Sequence, residues 1–340
     1  MSARRPGGSN LAGRTYELVI GSFGRISRSR TGRWGVIALS GAFAAVFALL
    51  AARHFASTSW PLTNGEPAVL ATAGVLLLLA QALKAYGWGR LFAPAERPTP
   101  LALAAGNGGA AVIGVLLPGR FDDAMRVAVV RRYPRCPAGV RTLCLSLVML
   151  GLIDSVALAP IAVAAVAFPG VGFSVRVGLA LVAAAGVGAA TIVLALPRLV
   201  ATKRVLSFAL GRWLNPRTVS RRRASEAWAL VSACWLVRAV ALFLLLGTLG
   251  IGFSFPLALV FLCAGAAAAS LPIGPAGAAT QVGAGAATLI ASGSGASHAL
   301  SVAVASGTLG VLSGAAFLLL AIVWCVGRSF TPFRTAAPVA

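Results

Sequence analysis

Long apolar runs, each bounded by arginine or lysine, recur along this sequence and limit the folds that it can adopt. Apolar residues make up 59% of the 340 residues, charged residues make up 11%, and the mean hydropathy is +0.90. This composition excludes a soluble domain. A helix needs about 20 residues to cross the hydrocarbon core of a bilayer. The sequence therefore predicts an all-α polytopic membrane protein.

About six of the runs are predicted to cross the membrane as full helices. They cover residues 34–52, 67–83 with a helical continuation towards 92, 142–168, 177–196, 227–250 and 299–326. Lys84 and Arg90 follow the second run, and both long side chains are expected to snorkel to the membrane surface.

Two further apolar runs, 101–117 and 255–271, are shorter and are followed by helix-breaking proline and glycine. The first also contains Gly106-Asn107-Gly108-Gly109, which is predicted to interrupt its helix. Irregular backbone at membrane depth is tolerated only where it is buried in protein or lines a cavity. Each short run is therefore predicted to be a re-entrant helical segment that returns to the side it came from. For the second run, the alternative is two short helices that each cross the membrane.

Basic residues predict the orientation in the membrane. The chain has 29 lysine and arginine residues against 7 acidic ones, and cytoplasmic loops carry an excess of basic residues. A re-entrant first short run puts nearly all of the basic residues in the cytoplasm, whereas a full crossing turns segments 119–141 and 197–226 outward. We therefore predict a plasma-membrane protein with cytoplasmic termini, a basic arm at 1–33 and a short tail at 327–340.

The predicted elements repeat. Residues 34–168 and 176–326 each contain two spans, a re-entrant segment and a third span, and the two halves start on opposite sides of the membrane. This order predicts an inverted repeat, an architecture that many secondary transporters use to place a binding site near the bilayer midplane.

The end of the first short run is the first candidate binding site. Pro118 and Gly119 break the helix, so Arg120 is expected at the tip of the re-entrant segment. An arginine there can hold a phosphate or carboxylate through two parallel hydrogen bonds, and N–H groups near Gly119 can bind the same anion. The alternative is that Arg120 is one more basic residue at a cytoplasmic membrane edge.

Acidic residues follow Arg120 directly. Asp123 and Arg126 are three residues apart, so they are expected to meet on one helical turn. Asp122 and Asp123 are predicted to neutralise Arg120 and Arg126 when no anion is bound, or to accept a proton. A local ion pair near the membrane surface is the alternative.

Asp154 and Arg238 lie in the middle of predicted spans. A charge at this depth costs roughly 2.5–3.5 kcal/mol on insertion scales. Both side chains are therefore expected to face the bundle interior, where they are predicted to pair with each other. They form either part of a substrate or proton path, or a structural ion pair.

Pro272, Pro275, Gly277 and Gln281 mark the second re-entrant segment, in which Gln281 is the longest polar side chain. These positions are predicted to line the binding site from the other side. Small residues also permit close helix packing, which is the alternative for this stretch.

No arrangement of residues predicts an enzyme. The sequence has no serine–histidine, metal-ligand or phosphate-loop pattern, and its five cysteines are scattered, so no cofactor and no metal site are predicted. The net charge of +22 comes from basic residues that adjoin the spans. Anionic membrane lipids, rather than nucleic acid, are therefore the predicted partners.

The two short runs resemble motifs of the transmembrane region of lysylphosphatidylglycerol synthases, a flippase-like domain family. The first is similar to a Leu-Pro-x-Arg-x-Gly-Glu-x-x-Arg stretch, which is matched at Leu117, Pro118, Arg120 and Arg126. Asp123 takes the glutamate's place, and Asp122 is a departure because it stands where glycine is usual. In the next span Asp154 matches an aspartate, while Leu150 and Gly151 replace a charged pair. The second short run is similar to Pro-x-x-Pro-Gly-Gly-x-Gly-x-x-Glu, with Pro272, Pro275 and Gly277 matched, Ala279 at a glycine and Val282 at the glutamate.

This resemblance implies a membrane module that translocates or handles lipids, and it covers roughly residues 34–326. Two functions are therefore considered. The first is a lipid flippase or transporter that binds an anionic phospholipid head group. The alternative is a non-transporting scaffold or subunit for a separately encoded lipid-modifying or cell-envelope enzyme.

Overall fold

The computed structural model describes residues 60–113, 121–134, 136–168, 172–202, 207–270 and 277–329, and these ranges contain helices and no strand. The principal helices are α1 (Pro67–Arg90), α2 (Pro100–Ile113), α3 (Phe121–Arg132), α4 (Val140–Val166), α5 (Phe173–Val200), α6 (Arg221–Thr248), α7 (Phe255–Ser270), α8 (Gly277–Ala291) and α9 (Ala296–Ser329). Short helical turns at Pro61–Asn64, Pro94–Glu96, Ala209–Leu214 and Asn215–Arg217 lie between or before them.

Five of these helices, α1, α4, α5, α6 and α9, are long and apolar enough to cross a membrane. They coincide with five of the predicted spans, while the span predicted at 34–52 lies outside the described residues. Large apolar side chains are exposed along α5 and α9, among them Leu181, Val187, Leu319 and Val323. Such exposed faces are expected where helices contact lipid. The chain is a multi-pass helical membrane protein.

Helices α1 and α6 form an antiparallel pair at the centre of the bundle. The backbone N–H of Glu66, just before α1, donates to Oγ1 of Thr248 at the end of α6, with an N–O distance of 2.9 Å. At the other end, a guanidinium nitrogen of Arg90 lies 3.3 Å from a carboxylate oxygen of Glu226. The two helices therefore pack along their whole length.

Helix α4 also runs antiparallel to α1. Nε1 of Trp88, near the end of α1, donates to Oγ of Ser146, near the start of α4, over 2.9 Å. Helix α5 folds back along α4, where Gly186 permits contact with Ser155 because a Cβ there would lie 2.5 Å from the Ser155 carbonyl oxygen. The end of α1, the start of α4 and the start of α6 thus lie at one end of the bundle.

That end is rich in arginine, and we call it the arginine-rich end. The exposed arginines there are Arg131, Arg132, Arg141, Arg198, Arg212, Arg221 and Arg222. At the opposite end, Arg176 is the single arginine or lysine among the described residues.

Helix α2 is continuous through Gly106, Gly108 and Gly109, so the interruption predicted at these glycines is wrong. Their role is close packing. A Cβ at Gly106 would lie 2.7 Å from a methyl group of Val130 on α3, and one at Gly108 would overlap the backbone carbonyl of Gly314 on α9. Small residues let membrane helices approach backbone to backbone, which compensates for the low helix propensity of glycine.

Helices α2 and α3 pack together and start and finish at the arginine-rich end, because α2 follows α1 and α3 precedes α4. Helices α7 and α8 also pack together, but they start and finish at the opposite end. There the end of α6 meets the start of α9, where Gly250 faces His298. The connecting segments 114–120 and 271–276 lie outside the described residues, and re-entry into a bilayer stays a prediction.

Candidate functional site

An ion pair joins α1 to α4 in the interior of the bundle. Nζ of Lys84 lies 2.9 Å from Oδ2 of Asp154, and the two side chains are only 14% and 19% exposed. Asp154 lies near the middle of the 27-residue α4. A helix of this length and composition places its midpoint far from either membrane surface.

Trp235 provides the second contact of the Asp154 carboxylate, a hydrogen bond from its indole N–H. Its Nε1 donates to Oδ1 of Asp154 over 3.0 Å, so each carboxylate oxygen has one partner. Trp235 is buried near the middle of the 28-residue α6. Its hydrogen bond ties α6 to the same carboxylate that holds α1.

Arg238 lies on the next turn of α6 and stacks on the same tryptophan. Its guanidinium carbon is 5.2 Å from the centroid of the Trp235 ring, and Nζ of Lys84 is 5.7 Å from that centroid. No carboxylate among the described residues lies within 4.0 Å of the Arg238 guanidinium. We call Lys84, Asp154, Trp235 and Arg238 the central cluster.

The central cluster carries one excess positive charge, because two cations accompany one carboxylate. An uncompensated charge among apolar helices is costly, so it attracts an anion or water. All three charged side chains are partly exposed in the bundle. The arrangement can therefore bind an anion that reaches Arg238.

Two predictions about these residues are wrong. Asp154 pairs with Lys84 rather than with Arg238, and Lys84 points into the bundle rather than to the surface. The reason is that α1 runs antiparallel to α4, which brings Lys84 level with the middle of α4. A signal was present in the sequence: Gln81, Lys84 and Trp88 share one face of α1, at positions i, i+3 and i+7.

A second group of charges, which we call the α3 cluster, comprises Asp122, Asp123 and Arg126. Nη1 of Arg126 contacts Asp123 and lies 3.3 Å from Oδ2 of Asp122. The predicted meeting of Asp123 and Arg126 on one turn is confirmed. This cluster carries one excess negative charge and is held within a single helix. Nε of Arg126 is buried without a partner among the described residues.

Asn107 is a buried polar residue within the glycine-rich stretch of α2 at which a helix break was predicted. It is 4% exposed, and neither Oδ1 nor Nδ2 has a hydrogen-bond partner in the described part of the chain. A buried polar group without a partner costs about 1–3 kcal/mol. An asparagine within an apolar run was the available signal.

The other candidate residues are not in either cluster. Pro118, Gly119, Arg120, Pro272 and Pro275 lie outside the described residues. Gly277 is the first residue of α8. The side chain of Gln281 is exposed, and its backbone carbonyl faces Gly265 on α7, where a Cβ would lie 3.3 Å away. Gln281 thus lies at a packing contact between α7 and α8.

The described ranges contain no group of three histidine, cysteine, aspartate or glutamate residues that could hold a metal ion. Comparison with protein-family models, with curated proteins and with solved structures gives no match.

Proposed function

We propose that this protein is a flippase-like membrane transporter that binds an anionic lipid head group and moves it between leaflets. The observation that carries the proposal is the excess positive charge of the central cluster, between three helices that are long enough to span a membrane. A protein that held only a structural ion pair at this depth would not need Arg238 as well.

Arg238 is the group that binds the phosphate in this proposal. Its guanidinium is fixed against Trp235, and a planar guanidinium offers two parallel donors to a phosphate. A single negative charge on the ligand neutralises the cluster. Neutralisation removes the cost of an unpaired arginine in a span, which is roughly 2.5–3.5 kcal/mol on insertion scales.

The packing of the helices supports an inverted repeat as part of this proposal. Helix α1 pairs with α6, and α2 packs against α9 as α7 packs against α4. If α1, α2 and α4 of the first half correspond to α6, α7 and α9 of the second half, each of these contacts has its equivalent in the other half. Hairpins from opposite ends of the bundle would then enter the membrane from its two sides and gate access alternately.

The arginine-rich end is the cytoplasmic end in this proposal, since cytoplasmic loops carry the excess of basic residues. With the span predicted at 34–52, both termini are then cytoplasmic. Arg120, after Pro118 and Gly119, would offer a second cation from the hairpin of α2 and α3, and the excess negative charge of the α3 cluster would balance it. The lipid-handling role implied by the resemblance to the flippase-like family agrees with this assignment.

The test is lipid translocation in proteoliposomes that contain fluorescent phosphatidylglycerol. We expect the wild-type protein to accelerate its movement between leaflets. Arg238→Gln and Arg120→Ala are expected to reduce the rate roughly tenfold or more, because a hydrogen bond to a charged group contributes about 1.5–3 kcal/mol and about 1.4 kcal/mol corresponds to a factor of ten. The control is Arg222→Gln, which removes a side chain that is 90% exposed.

Equal rates for wild-type protein and Arg238→Gln would contradict the site. A wild-type protein that moves no lipid, but copurifies with a lipid-modifying enzyme, would replace the transporter with the scaffold function.

A further inference from the structure

We propose that Asp154 sets the charge of the head group that the central cluster accepts, so that the site selects a singly charged phosphodiester over a doubly charged phosphomonoester. This inference rests on the proposed function, because it concerns the same anion site. It goes beyond that function by stating which charge of head group the site prefers and by assigning this preference to Asp154.

The charged residues inside the bundle sum to a single positive charge. Away from their ends, α1, α4 and α6 carry three charged residues among those described, which are Lys84, Asp154 and Arg238. Their sum is one positive charge. A phosphodiester brings this sum to zero, whereas a doubly ionised phosphomonoester leaves one negative charge. A residual charge is costly in a medium of low dielectric constant.

The geometry of Asp154 is the second step. Oδ2 is bound by Nζ of Lys84 and Oδ1 by Nε1 of Trp235. Both contacts hold the carboxylate in place between α1, α4 and α6. The negative charge therefore stays beside the ligand when an anion arrives, and it repels a second negative charge on that ligand.

The position of Arg238 is the third step. Arg238 and Lys84 both lie over the ring of Trp235, but only Lys84 has a carboxylate partner among the described residues. The ligand phosphate therefore meets Arg238, while Lys84 stays neutralised by Asp154. One free cation matches one negative charge.

A series of variants that changes the charge of the cluster tests this inference. Asp154→Asn raises the sum to two positive charges, Asp154→Glu keeps it at one, and the double variant Lys84→Gln/Asp154→Asn also returns it to one. The double variant removes both partners of the ion pair, so no buried charge is left unpaired by its loss. Arg222→Gln is the control for a change of charge at the exposed surface.

Binding of phosphatidylglycerol and of phosphatidic acid is measured by native mass spectrometry of the protein in nanodiscs at about pH 8, where a phosphomonoester is close to doubly ionised. We expect wild-type protein, Asp154→Glu and the double variant to retain phosphatidylglycerol roughly tenfold better than phosphatidic acid. Asp154→Asn is expected to reverse or abolish this preference.

An unchanged ratio of the two lipids in Asp154→Asn, with binding still lost in Arg238→Gln, would overturn the selectivity alone. Equal binding by wild-type protein and Arg238→Gln would instead overturn the proposed function. If Asp154→Asn does not fold, a double variant that prefers phosphatidic acid overturns the inference on its own.

Adding a soluble glycerophosphodiester distinguishes a lipid head group from a free anion as the ligand. Displacement of phosphatidylglycerol by the soluble compound at equal strength supports the charge rule with a free anion as ligand. Absence of displacement supports it with a lipid. Displacement by glycerol 3-phosphate in preference to the diester contradicts the rule.

Discussion

The central cluster and the α3 cluster both combine acidic and basic side chains, yet they are built in different ways. The α3 cluster brings together Asp122, Asp123 and Arg126 from a single helix. The central cluster brings together side chains from α1, α4 and α6, which are far apart in sequence. The first neutralises its own arginine, whereas the second leaves Arg238 without a carboxylate partner among the described residues. Only the second is suited to bind an anion.

Burial also separates the two clusters. The ion-paired side chains of the α3 cluster are 21–37% exposed, whereas Lys84 and Asp154 are 14% and 19% exposed. Exposed pairs contribute little because water and salt screen them. Loss of one partner from a buried pair is costly because it leaves the other charge uncompensated. The same kind of substitution is therefore expected to have different effects at the two sites.

The largest effect is expected for Asp154→Asn, which removes the carboxylate partner of Lys84 and leaves two uncompensated cations in the central cluster. We expect it to lower the free energy of unfolding by about 3 kcal/mol, measured by thermal unfolding in detergent. Asp122→Asn is the matched control on α3, and its effect is expected to be below about 1 kcal/mol. Equal losses from the two variants would remove the distinction between the clusters.

A smaller effect is expected for Trp235→Phe, which keeps an aromatic ring beside Lys84 and Arg238 but removes the N–H that donates to Asp154. A hydrogen bond to a charged group contributes about 1.5–3 kcal/mol, and a loss in this range is expected in the same unfolding measurement. Trp228→Phe, at a tryptophan that is 41% exposed, serves as the control. Similar stability of both variants would show that the indole N–H does not hold the carboxylate.

Arg126→Gln is expected to lower the free energy of unfolding by no more than about 1 kcal/mol, because its two ion pairs lie within one helix and are partly exposed. Thermal unfolding at low and high salt checks this expectation. The effect should shrink further at high salt. A loss as large as that of Asp154→Asn would mean that the α3 cluster holds helices together as well.

The smallest effect on stability is expected for Asn107→Leu. Neither polar atom of Asn107 has a partner among the described residues, so an apolar side chain of similar volume should leave the stability unchanged or raise it. The measurement is again thermal unfolding, with Asn107→Asp as a contrast that adds a buried charge. Destabilisation by Asn107→Leu of more than about 1 kcal/mol would indicate that the amide is hydrogen-bonded.

The two clusters also show what the sequence could predict. The pairing of Asp123 with Arg126 follows from a spacing of three residues on one helix. Five spans follow from hydropathy and length. The partner of Asp154 could not be predicted in the same way, because it depends on which face of α1 packs against α4. Their positions in the middle of predicted spans indicated that Asp154 and Arg238 carry charges that are costly to place in a membrane. Only the packing of α1 against α4 and α6 shows that Lys84 lies beside them.

Helix α2 shows a second limit. The glycines from Gly106 to Gly109 predicted a break because glycine has low helix propensity. In the folded chain Gly106 and Gly108 instead permit contacts with Val130 and Gly314 that no larger residue would allow. Whether a glycine ends a helix or packs it closely depends on its neighbours in space, and a single sequence does not contain that information.

The most direct measurement is the amount of phosphatidylglycerol that stays bound to the protein when it leaves a nanodisc of phosphatidylglycerol and phosphatidylethanolamine, detected by native mass spectrometry. The central cluster predicts that wild-type protein retains phosphatidylglycerol and that Arg238→Gln retains roughly tenfold less, with phosphatidylethanolamine unchanged. Equal retention of phosphatidylglycerol by the two proteins would contradict an anion site between α1, α4 and α6.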